Sequence, residues 1–186
     1  MINTKISKIK MNFRDQLLAE LSKRNTDYIA SVVDNNKELF KQLIDLILTN
    51  EEFVSGRAAW VIETIWIKYP DMIKPYINEM IDFLPKSKFD NQKRHFLKML
   101  TTINLNELDD ERLGILIDRC FTWLEDPMYP TAVKMFSMQI IHNFIKIEPS
   151  LASELIAIIE NQFDDGTPGF KNRGEKILKD LYKIVD

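Results

Sequence analysis

The run Arg57-Ala58-Ala59-Trp60-Val61-Ile62-Glu63-Thr64-Ile65 decides how this chain folds. Ala58, Val61, Ile62 and Ile65 stand at the i, i+3, i+4, i+7 spacing that lays one apolar stripe along an α-helix. The stripe returns without gaps at 95–103, 136–144 and 173–181, at intervals of 38, 41 and 37 residues. One column reads Val61, Met99, Ile140, Ile177 and the next Ile62, Leu100, Ile141, Leu178. Three residues on come Ile65, Ile103, Phe144 and Leu181, and one turn earlier the mostly small set Ala58, Phe96, Ser137, Gly174. A buried helix face repeated four times is the signature of stacked repeats.

Outward from these copies the helical period persists, and no apolar–polar alternation bounded by hairpin turns interrupts it. The pattern predicts ten helices, near 12–23, 26–34, 36–49, 55–69, 71–84, 91–103, 110–124, 131–147, 150–163 and 168–184. Tyr69-Pro70-Asp71, Glu148-Pro149-Ser150 and Thr167-Pro168 mark breaks, with Asp71, Ser150 and Thr167 as expected N-caps. Short connections make successive helices antiparallel. With 186 residues and no linker or low-complexity run, the chain reads as one domain over 1–186.

The helix carrying Arg57, Ala58 and Ala59, then Val61, Ile62 and Ile65, resembles the second helix of a HEAT repeat. The segment 39–48 resembles the first helix, and 73–81, with its internal Pro75, resembles it more closely. The resemblance covers 36–184 as four repeats and leaves 12–34 as a degenerate fifth repeat or an N-terminal cap. His95 and Phe136 depart from the family pattern where Arg57 and Arg173 keep its arginine. The resemblance implies an all-α, right-handed α-α superhelix of four to five helix pairs, with first helices on the convex side and second helices on the concave side. It also implies that a basic residue near the start of each second helix pairs with an upstream Asp, and Asp90 and Asp165 stand available to Arg94 and Arg173.

The polar stripe of the second helices is then the candidate binding surface. It comprises Trp60, Glu63 and Thr64, then Lys98 and Thr101, then Gln139, His142, Asn143 and Lys146, then Lys176, Lys179 and Lys183. It runs from mixed and aromatic to basic, so an acidic or phosphate-bearing ligand docks first at the C-terminal end. Trp60 is either a binding anchor or a packing residue against Trp66, Tyr69 or the neighbouring repeat.

Chemistry is sparse. The two histidines, His95 and His142, lie on different repeats, and no His-Glu-x-x-His or Cys-x-x-Cys spacing exists, so no metal site is expected. No glycine-rich phosphate loop or Gly-x-Ser-x-Gly elbow is present, and no cofactor is expected. The carboxylates at 109–111 and 164–165 read as capping and turn chemistry. Cys120, the single cysteine, sits among apolar residues as a buried small hydrophobe. No secretory or lipidation signal and no membrane-length apolar run appears, which points to a cytoplasmic protein. Ile2, Ile6 and Ile9 could form a short docking helix or a frayed tail.

The expected function is a non-catalytic scaffold that binds a protein or peptide along the concave face. The alternative is a nucleic-acid protein resembling the HEAT-like DNA-alkylation-repair glycosylases. Its phosphates would meet the lysines, and Glu63 or Asp180 would be the groove carboxylate. A net charge of −3 weighs against it, because counterion release rewards basic surfaces.

Overall fold

A computed structural model describes residues 11–185, and Ile2, Ile6 and Ile9 lie outside them. The described residues form ten α-helices: α1 (Phe13–Ala19), α2 (Lys23–Val33), α3 (Lys37–Leu48), α4 (Val54–Lys68), α5 (Ile77–Phe83), α6 (Asp90–Leu100), α7 (Asp110–Glu125), α8 (Thr131–Ile145), α9 (Ala152–Asn161) and α10 (Pro168–Val185). No strand occurs among them. The fold is all-α, and its helices follow the sequence periodicity closely.

Capping explains where many helices begin. Asn12, Ser22, Asn36 and Asp109 each accept a backbone N–H from the first turn that follows. Thr167 does the same for Phe170 N at 3.4 Å, with Pro168 as the first helical residue, as expected. Asp71 and Ser150 are not caps. Pro70 and Pro149 each open a short 3₁₀ turn, Pro70–Met72 and Pro149–Leu151, so both residues lie inside the turn. Asp71 pairs with Lys74 at 2.7 Å, and the Ser150 hydroxyl donates to Glu148 Oε1 at 2.5 Å. The helix expected over 71–84 is shortened for the same reason. Pro75 and Pro85 fall in further 3₁₀ turns, Lys74–Tyr76 and Leu84–Lys86, and leave only α5 between them.

The even-numbered helices α2, α4, α6, α8 and α10 pack side by side in one row. Behind them α1 packs on α2, α3 on α4, α7 on α8 and α9 on α10, while the short α5 leans chiefly on α7. All four aligned residues of the Val61 column and of the Ala58 column are buried between the layers. The segment expected to be a degenerate repeat or a cap takes a full place in this row. Asn25-Thr26-Asp27-Tyr28-Ile29-Ala30-Ser31-Val32-Val33 supplies a fifth copy, 32 residues before Arg57. Ile29 and Val33 stand in its core columns and are fully buried. Tyr28 occupies the column of Trp60, Lys98, Gln139 and Lys176.

Candidate functional site

The candidate residues lie on the row of second helices, and two contacts within that row organise them. At the α4–α6 contact Glu63 is 8 % exposed and His95 3 %. His95 Nδ1 lies 2.5 Å from Glu63 Oε2, and Lys98 Nζ donates to the other carboxylate oxygen. On its far side His95 Nε2 lies 3.0 Å from Arg94 Nη2. A guanidinium can only donate, so Nε2 accepts, Nδ1 carries the proton, and the imidazole is neutral. Burial would raise the Glu63 pKa, but the hydrogen bonds from His95 and Lys98 outweigh it and hold the carboxyl below its ordinary value. Burial drives the His95 pKa down against the pull of Glu63. Trp60 stacks on His95, ring centroids 6.4 Å apart and 15° from parallel, so it packs against the neighbouring repeat.

At the α8–α10 contact neutral amides replace the buried charge. Arg173 Nη1 donates to Gln139 Oε1 at 2.5 Å, and Gln139 Nε2 donates to Asn143 Oδ1 at 3.0 Å. Asn143 Nδ2 reaches across to the Thr101 carbonyl on the α6 side at 2.8 Å. His142 is half-buried, its Nδ1 3.4 Å from Gln139 Nε2 and its Nε2 4.0 Å from Asp180 Oδ2. Burial, then the charge of Lys146, lowers the His142 pKa. The Lys183 ammonium, 3.0 Å away, holds the Asp180 carboxyl below its ordinary range.

The twelve candidates therefore divide. Glu63, Gln139 and Asn143 are spent on ties between helices, and Trp60 on the His95 stack. Thr64 and Thr101 donate their hydroxyls to carbonyls of their own helices, Trp60 O at 3.0 Å and Lys98 O at 2.7 Å. Lys98 is half-exposed while bound to Glu63. Lys146, Lys176, Lys179 and Lys183 stand exposed, and among the described residues only Lys183 of these four has a carboxylate within 4.0 Å.

The expected Arg–Asp ladder does not form. Asp90 bonds Lys93 at 3.0 Å instead, one turn along its own helix, and Arg94 turns to His95. Arg173 reaches Gln139, and Arg57 Nη1 caps α1 by donating to the Leu17 carbonyl at 2.6 Å. The tie that sequence reasoning missed is His95. Its signal was present, because His95 aligns with Arg57 and Arg173, the cross-repeat position.

No group of three or more His, Cys, Asp or Glu able to hold a metal occurs among the described residues. Cys120 is buried, and burial pushes its thiol up to about 12, far from a reactive thiolate. No helix among the described residues is long and apolar enough to cross a membrane.

Compared with protein families, residues 13–181 match the model of a HEAT repeat domain. Comparison with curated proteins and with solved structures gives no match. The likeness to DNA-alkylation-repair glycosylases finds no support in these comparisons.

Proposed function

From the premise that this chain belongs to the HEAT-repeat family, we propose that it is a non-catalytic scaffold, a single repeat domain that binds a protein or peptide partner along its second helices. HEAT repeats are in general protein-interaction modules, and the row of second helices is the concave side of such arrays. One observation carries the placement. The lysines of the last two copies, Lys146, Lys176 and Lys179, are exposed and lack a carboxylate of the described chain within 4.0 Å. Lys176, Lys179 and Lys183 follow one stripe of α10 at i, i+3 and i+7. Such a stripe favours an acidic segment of the partner, and its attraction weakens with salt. A cytoplasmic location belongs to the same reading.

The test is capture from native lysate by the wild-type chain and by Lys146→Glu, Lys176→Glu, Lys179→Glu together. These sites are exposed, so the triple variant keeps its fold, verified by circular dichroism. The expected result is a protein retained by the wild type, lost from the variant, and bound again when purified, with an affinity that falls as salt rises. Equal capture by both chains would remove the partner from this face. Recovery of nuclease-sensitive nucleic acid in its place would revive the alternative.

A further inference from the structure

The internal repeat provides its own control for an unusual lysine. Two residues before His95 stands Lys93, and two before Phe136 stands Lys134, so the pair shares a column. Each sits in the first turn of its second helix, and each is buried, 6 % and 9 % exposed. Lysine is rarely buried without a counter-charge, because taking an ammonium out of water is costly. The positive end of the helix dipole adds to that cost in a first turn.

Lys93 meets the requirement from within. Asp90, the first residue of α6, lies 3.0 Å from its Nζ, and the Tyr129 ring centroid lies 5.4 Å away. In α8 the residue at the register of Asp90 is Thr131. Lys134 keeps one neutral partner, Gln162 Oε1 at 2.8 Å. Gln162 is fixed in that pose because its Nε2 donates to the Leu124 carbonyl at 3.0 Å. Among the described residues no carboxylate comes within 4.0 Å of Lys134 Nζ. Two acids are near. Asp126 acts on the ammonium at longer range, while its Oδ1 accepts Met128 N at 2.8 Å within its own turn. Asp165 is the second, and it lines the same cleft as Lys134 without pairing with it within 4.0 Å.

Beside Lys134, where its register-mate Lys93 has an aspartate, the surface opens into a cleft of about 330 Å³. Tyr129, Thr131, Lys134, Gln162, Thr167 and Phe170 are among its walls. Thr131 and Thr167 are joined by their hydroxyls at 3.2 Å, which brings the starts of α8 and α10 to the same cleft. We propose that this cleft is a carboxylate-binding site, in which a ligand gives Lys134 the counter-charge that Asp90 gives Lys93. Burial lowers the Lys134 pKa, and a bound carboxylate would reverse that shift. A chain terminus, an acidic side chain and a free small acid all carry this group, and the test separates them. The cleft lies at the starts of α8 and α10, apart from the lysines proposed to meet a partner.

The test titrates the full chain with sodium acetate against sodium chloride at equal ionic strength, reading the amide nitrogen shifts of Thr131, Ala132, Gly166 and Gly169. The expected result is a saturable change with acetate alone. In Lys134→Met the acetate affinity falls about tenfold or more, as loss of a charge-assisted hydrogen bond implies. Thr131→Asp supplies the carboxylate in the register of Asp90. It should raise the melting temperature and lose acetate binding together. N-acetylglycine and N-acetylglutamate α-methylamide then separate the sources. Tighter binding of the first marks a chain terminus, tighter binding of the second a side chain, and neither exceeding acetate a free acid. Absence of a saturable change, or an equal change in wild type and both variants, overturns the proposal.

Discussion

The α4–α6 and α8–α10 contacts use the same repeat position and opposite chemistry. In both, the first residue of the aligned copy reaches back to the helix before it. His95 reaches the buried Glu63 carboxylate, and Arg173 reaches the Gln139 amide. The first contact buries the Glu63 carboxylate beside the Trp60–His95 stack. The second sets the part-buried Arg173 guanidinium on a neutral amide and leaves Asp180 and Lys183 more than half exposed. The array thus needs a cross-repeat tie at this position but not a particular charge. Where the tie is ionic and buried, little polar surface remains for a partner. Where the acceptor is a neutral amide, lysines stay free.

The largest expected effect breaks the ionic contact. Glu63→Ala leaves the His95 N–H and the Lys98 ammonium without their acceptor, and should cost about 3 kcal/mol. Lys98 is partly solvated, which keeps the loss at the lower end for a buried pair. Arg173→Ala should cost only about 1 kcal/mol, since Gln139 keeps its bond to Asn143. Urea denaturation of both variants checks the difference, and equal losses would erase the contrast between the contacts.

Acid should act mainly through the first contact. The folded pKa of His95 lies below 6.5, so its contribution is intact above that value and falls away as pH drops below it. The folded pKa of Glu63 lies below 4.5, so its stabilisation is present above 4.5 and is lost as pH falls through the folded value. Both signs make the protein less stable in acid. Glu63→Gln combined with His95→Gln should flatten the melting temperature between pH 4 and pH 6.5 more than His142→Gln does, as pH-resolved thermal melts would show.

Two glycines sharpen the comparison through packing. A Cβ on Gly174 would stand 2.9 Å from Ile159 Cγ2, whereas one on Gly114 would meet nothing within 4 Å. Gly174→Ala should therefore cost about 1 kcal/mol, overpacking exceeding the gain in helix propensity. Gly114→Ala should add somewhat less than about 1 kcal/mol in the middle of α7. Smallest of all, Lys183→Ala removes an exposed i, i+3 pair and should leave the melting temperature unchanged.

The helix count and the buried columns were legible because Val61, Met99, Ile140 and Ile177 repeat one stripe, and burial follows the stripe. The first copy was harder to see. Its spacing to Arg57 is 32 residues, shorter than the other intervals, and Thr26 and Ala30 weaken its apolar face. The shortened α5 shows proline overriding periodicity. The face carrying the candidate residues could be read from register alone. Which of them are free could not, because that depends on distances between helices. Asp90 is three residues from Lys93 and four from Arg94, and only packing decides that it serves Lys93. The lysine column of Lys93 and Lys134 lay outside the aligned window and became visible through burial.

The side-by-side row also bears on how the chain would respond to pulling. Contacts along the row are between adjacent copies, so tension applied at the two ends passes through the inter-repeat ties in series. A series of unequal links yields at the weakest. Of the two ties compared here, the Arg173–Gln139 bond of α8 and α10 would part before the buried Glu63 contact of α4 and α6, so the extension would be stepwise.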